Sequence, residues 1–101
     1  MKIGSKYYVV KGGVLDVNGP IKFKRGEIWD IVASNISSPQ LRKLNNNGSS
    51  TRLLNGQIFA RAGIESEKFV ELDSDDPRFI EHNDLIKRTG AQGIEGRNKS
   101  E

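Results

Sequence analysis

The sequence predicts a mainly β fold, a small antiparallel barrel or strongly curved sheet, with one C-terminal α-helix. Three observations point there. Short β-branched and aromatic runs such as Tyr7-Tyr8-Val9-Val10 recur, Gly- or Asn-containing turns separate them, and an apolar stripe at helical spacing is confined to about residues 77–89. A chain of 101 residues bounds the answer to one domain with a modest core, over 1–89, followed by a tail over 90–101.

The first strand, Tyr7 to Val10, ends at Gly12-Gly13, and Val14 to Val17 forms a short second one before the break at Asn18-Gly19-Pro20. Ile21-Lys22-Phe23-Lys24 alternates strictly, so Ile21 and Phe23 face the core while Lys22 and Lys24 face out. Arg25-Gly26 is a tight turn into Glu27 to Ala33. There Ile28 and Val32 share one face and Trp29 and Ile31 the other, the pattern of a central strand.

Gln40 to Leu44 and Thr51 to Leu54 flank an Asn/Ser-rich tip and read as a hairpin. Asn55-Gly56 has the chemistry of a second, two-residue hairpin turn and predicts a strand over Gln57 to Ala60. Lys68 to Leu72 is the last strand. Asp76 then suits a helix N-cap with Pro77 at the first helical position, and Phe79, Ile80, Asn83, Leu85 and Ile86 supply the stripe. Lys87 and Arg88 suit the last turn, and Gly90 the stop. From Gly90 onward the chain is Gly, polar and charged with one isolated apolar residue, which predicts a disordered tail.

Charge is sorted along the chain. Residues 1–64 carry ten Lys/Arg against three Asp/Glu, and residues 65–101 carry six against ten, a division that the overall +3 conceals. Such sorting gives a folded domain a basic side and an acidic side, which concerns partners rather than chemistry.

Catalytic and cofactor signatures are absent from the pattern. Zero Cys removes disulfides, thiolate metal sites and Cys nucleophiles. His82 is the single histidine, with no Cys or Ser partner nearby, and reads as structural or solvated. The acidic run from Glu65 to Asp84 fails the calcium-loop template. With Asp73 and Asp75 at positions one and three, Pro77 occupies position five and Arg78 replaces the required Gly at six. No phosphate-binding glycine motif precedes a helix. The chain is therefore expected to be non-enzymatic, with no cofactor and no metal. The start has no apolar leader and no run is long enough to span a membrane, so the default expectation is a cytoplasmic protein without membrane contact.

The basic set, Lys2, Lys6, Lys11, Lys22, Lys24, Arg25, Arg42, Lys43, Arg52 and Arg61, is spread over several strands and reads as solvated surface. Small barrels also use such a face, with aromatics, to hold nucleic acid. Alternation and burial preference send Phe23 and Trp29 into the core instead.

Lys6-Tyr7-Tyr8-Val9-Val10-Lys11, Phe23-Lys24-Arg25-Gly26-Glu27-Ile28-Trp29-Asp30-Ile31-Val32 and Phe69-Val70-Glu71-Leu72 together resemble the SH3-like small barrels of uncharacterised bacteriophage and prophage proteins. The resemblance covers about residues 5–72 and implies an SH3-like barrel in a phage-type accessory protein. It carries over no functional residues. The long Asn/Ser hairpin and the acidic C-terminal helix depart from the pattern.

The expected function is non-enzymatic binding of a macromolecule, a host or viral protein. A nucleic-acid module is the alternative, and a structural assembly subunit the third reading. Candidate contacts are Lys22, Lys24 and Arg25 on the basic strand and turn, Asn46 and Asn47 at the hairpin tip, and Glu71, Asp75 and Asp76 on the acidic side.

Overall fold

A computed structural model describes residues 2–17, 19–32, 40–44, 50–53 and 56–89. In chain order these form β1 (Lys6–Val9), β2 (Gly13–Asp16), β3 (Pro20–Phe23), β4 (Ile28–Val32), β5 (Gln40–Leu44), β6 (Ser50–Leu53), α1 (Gly56–Glu65), β7 (Phe69–Glu71) and α2 (Pro77–Thr89). Five strands make one antiparallel sheet in the order β6-β5-β4-β1-β7, while β2 and β3 form a separate hairpin. β4 takes the middle of the sheet, as its two apolar faces predict. The β5–β6 hairpin also forms where expected, with Leu41 opposite Leu53; its tip and the tail over 90–101 lie outside the described residues.

Two expectations are corrected together. The sheet is not closed into a barrel, because β6 and β7 stand at its edges without pairing to each other. The segment Gln57 to Ala60, expected as a strand, is instead part of α1, so the described residues hold two helices. Gly56, Phe59, Ala60 and Gly63 fall at i, i+3, i+4 and i+7 and are the buried residues of that helix. A Cβ at Gly56 would run into the Leu41 backbone in β5, and one at Gly63 into the Phe69 ring in β7. α1 thus spans from β5 to β7, the gap that strand pairing would otherwise have closed.

The end of α1 is fixed by its own backbone. Glu67 N–H donates to the Ile64 carbonyl at 3.0 Å and Lys68 N–H to the Gly63 carbonyl at 2.9 Å, with Glu67 at φ 63°. That is a Schellman ending with a glutamate where glycine is usual.

One face of the sheet and α1 enclose the core. Tyr7, Val9, Trp29, Ile31, Leu41 and Phe69 meet Phe59 and Ala60 of α1, and Val17 and Phe23 of the hairpin region complete the cluster. The Phe59 ring lies 5.1 Å from Phe69, 5.3 Å from Trp29 and 5.9 Å from Phe23, all inclined rather than stacked.

α2 begins as predicted, with Arg78 N–H donating to Asp76 Oδ1 at 2.8 Å. It lies against the face of the sheet opposite α1. The Lys6 ammonium sits 4.2 Å from the Phe79 ring centre and the Arg78 guanidinium 4.4 Å from that of Tyr8. Its buried stripe is rotated from the expected one, since Ile80 is 49% exposed and His82 only 5%. No helix among the described residues is long and apolar enough to cross a membrane.

Candidate functional site

Strand register builds a row of charge on the α2 side of the sheet. Lys6 is the cross-strand partner of Asp30, and Asp30 of Arg42, so a cation, an anion and a cation lie side by side on β1, β4 and β5. All three are sealed, at 4%, 2% and 2% exposure. Arg42 grips Asp30 with both arms, Nε to Oδ1 at 3.2 Å and Nη2 to Oδ2 at 2.7 Å. The Lys6 ammonium donates to the Gly4 carbonyl at 3.3 Å.

His82 closes the row from above. Its Nε2 lies 3.8 Å from Asp30 Oδ1, beyond hydrogen-bond range, and among the described residues neither buried ring nitrogen has a hydrogen-bond partner. Burial lowers the His82 pKa from its ordinary value; Asp30 opposes that shift, and Lys6 and Arg42 add to it. Burial likewise lowers the Lys6 ammonium pKa, against the pull of Asp30. The reading of Lys6 and Arg42 as solvated surface is therefore corrected. Lys6 and Arg42 belong to the sheet face that α2 covers, where Lys6 extends toward Phe79 and Arg42 is held by Asp30.

A groove of about 530 Å³ runs beside this layer, between α2 and the turn leading into β4. Ile28, Leu44 and Leu85 supply its apolar lining, and His82 contributes to its wall. Glu27 organises the near side. It accepts from Trp29 Nε1 at 3.1 Å and from the Lys24 backbone at 3.0 Å, and it pairs with Lys43 Nζ at 3.1 Å. Among the described residues no three His, Asp or Glu side chains converge where a metal ion could sit.

A second feature is the basic end of the domain. Gly26, at φ 93°, turns the chain after Lys24-Arg25, and its N–H donates to the Val9 carbonyl at 2.9 Å. That bond brings the turn against the end of β1. A Cβ on Gly12 would lie 3.2 Å from the Arg25 backbone nitrogen, and one on Gly13 would lie 3.7 Å from Lys68 Nζ. Val10 and Lys11 both donate backbone N–H groups to the Lys68 carbonyl. Lys11, Lys24, Arg25 and Lys68 thus gather at one end, with Lys22 exposed on the adjoining strand. Among the described residues none of these five makes an ion pair.

The sequence-predicted contacts divide accordingly. Lys22, Lys24 and Arg25 come together, joined by Lys11 and Lys68. Glu71 and Asp75 are exposed on β7 and in the turn before α2. Asp76 is half-buried, caps α2 and pairs with Arg78 at 2.9 Å; the hydrogen bonds from Arg78 hold its carboxyl below the usual range. Asn46 and Asn47 lie outside the described residues. The buried ionic layer escaped sequence reasoning, although one signal was present. Asp30 alternates with Ile28 and Val32 on a strand apolar on both faces, and a carboxylate placed there requires a buried cation.

Comparison with protein-family models, with curated proteins and with solved structures finds no match to this chain.

Proposed function

We propose that the chain is a non-enzymatic binding module, a phage-type accessory domain of the SH3-like kind that engages an acidic surface on a host protein. The observation that carries this reading is the unpaired basic end, where Lys11, Lys22, Lys24, Arg25 and Lys68 collect. Clustered cations that make no ion pair among the described residues favour association with an acidic surface and set its orientation. The SH3-like reading draws support from the strand order, in which β1, β4, β5 and β6 follow as neighbours and β7 returns to β1. An open edge between β6 and β7, bridged by α1, is where this chain departs from a closed barrel.

Nucleic acid is the second reading, favoured by the same five cations. Against it stands the placement of the rings. Tyr7, Phe23, Trp29, Phe59 and Phe69 are buried, so they offer no stacking platform beside the basic end. Fluorescence polarisation with labelled single- and double-stranded oligonucleotides separates the two, over about 50 to 200 mM salt where counterion release is large. The protein-partner reading expects no oligonucleotide binding at the upper end of that range. Binding that survives there, weakens steeply with salt and disappears in Lys22→Glu/Lys24→Glu replaces it with the second reading.

A further inference from the structure

Among the described residues, the layer beneath α2 holds two cations and one anion before His82 titrates at all. Lys6 and Arg42 face it from β1 and β5, and Asp30 alone offsets them from β4. Both carboxylate oxygens of Asp30 are engaged by Arg42, which leaves His82 Nε2 at 3.8 Å and outside hydrogen-bond range. On its own helix His82 is flanked by Arg78, Glu81, Asp84 and Arg88, and Glu27 and Lys43 stand across the groove. Those six groups line the groove, whereas the ring nitrogens are sealed from solvent. The groove charges are therefore screened by water, and the buried three dominate what the imidazole experiences.

We propose that α2 is a latch that mild acid releases, with His82 as the trigger. A neutral imidazole fills the space above the Asp30–Arg42 pair without adding charge. An imidazolium there places a further cation between Lys6 and Arg42, where desolvation and like-charge repulsion oppose it. The layer relieves this by opening, which hydrates His82, Lys6 and Arg42 together. Three of the contacts that join α2 to the sheet are made by charged or titratable side chains, Lys6 to Phe79, Arg78 to Tyr8, and His82 over Asp30, beside the apolar lining of Leu85, Ile28 and Leu44. Release uncovers a second sheet surface containing Tyr8, Ile28, Val32 and Leu44 alongside the two freed cations. α1 and the main core lie on the other face and are retained.

Because the chain has one histidine, its imidazole carbon–proton signal in NMR is unambiguous. The test follows that signal and the amide exchange of residues 77–89 together from pH 7.5 to 5, in the full chain at constant salt, with exchange corrected for its intrinsic pH dependence. The expected result is a His82 midpoint below that of an unstructured histidine. Protection of α2 should fall several-fold through the same titration while that of β1 and β4 holds. In His82→Gln the loss of protection with acid should vanish. A midpoint at or above the unstructured value, or α2 amides that keep their protection in the wild-type chain after His82 has titrated, overturns the proposal. The wild-type measurement stands whether or not the variant folds.

Discussion

Arg42 Nη2 lies 2.7 Å from Asp30 Oδ2 in a two-armed pair whose side chains are 2% and 3% exposed. Removing one partner leaves the other charge buried without compensation, a loss of about 3–5 kcal/mol. Asp30→Asn and Arg42→Met should each lower unfolding free energy by an amount of this order in urea denaturation. The combined replacement Asp30→Leu/Arg42→Met/Lys6→Met should recover most of it, since apolar side chains then remove the desolvation costs of the whole row without leaving Lys6 buried beside no carboxylate.

Lys6 is the second cation of the layer, and its ammonium sits over the Phe79 ring. Lys6→Met removes the charge together with the contact to Phe79 and the hydrogen bond to the Gly4 carbonyl, so relief of burial and lost contacts offset and stability should change by no more than about 1 kcal/mol. The same substitution should move the His82 midpoint upward in NMR, because one of the cations lowering it has gone. A merely structural role for Lys6 would leave that midpoint in place.

The sign of the pH dependence follows from His82. Its pKa in the folded chain is depressed, so below the ordinary histidine value of about 6.5 the unfolded chain binds the proton more readily. Stability from this group is fully present above about pH 6.5. It is lost progressively as pH falls toward the folded pKa. Urea midpoints should drop across that window in the wild type, and His82→Phe should flatten the His82 contribution.

Glu67 adopts φ 63° at the end of α1 with both Schellman hydrogen bonds formed. A β-carbon in that region costs about 1–2 kcal/mol, part of which glycine returns to unfolded-state entropy. Glu67→Gly should therefore stabilise the domain by about 0.5–1 kcal/mol. Gly63→Ala should do the opposite despite the better helix propensity of alanine, because its methyl group meets the Phe69 ring. Thermal midpoints of the two variants should move in opposite directions.

Most strands were legible because turns announced them. Gly12-Gly13, Asn18-Gly19-Pro20 and Arg25-Gly26 each separate runs that the structure pairs as β1, β2, β3 and β4. α2 was legible for the same local reason, Asp76 and Pro77 at its start and basic residues in its last turn. α1 was misread because Asn55-Gly56 carries hairpin chemistry, while the small residues of the helix face obscured its period. Gly56 and Gly63 are apolar by absence, serving close approach to Leu41 and Phe69, and a hydrophobicity pattern does not register them. The basic end was partly legible. Lys22, Lys24 and Arg25 are contiguous in sequence, but Lys11 and Lys68 join them only through the pairing of β1 with β4 and β7. Lys6 and Arg42, counted with the same surface, proved to be interior because register set them against Asp30.

The most direct test of binding through the basic end is quantitative affinity capture from host lysate at about 150 mM salt, near physiological screening. Wild-type chain is compared with Lys22→Glu/Lys24→Glu/Arg25→Glu and with Glu71→Lys/Asp75→Lys. The three cations are exposed and make no ion pair among the described residues, so their reversal should leave stability within about 0.5 kcal/mol. The account predicts one acidic protein recovered in stoichiometric amount by the wild type and by the acidic-side variant, and lost with the basic-end variant. Equal recovery by all three chains, or loss only when Glu71 and Asp75 are reversed, would contradict it.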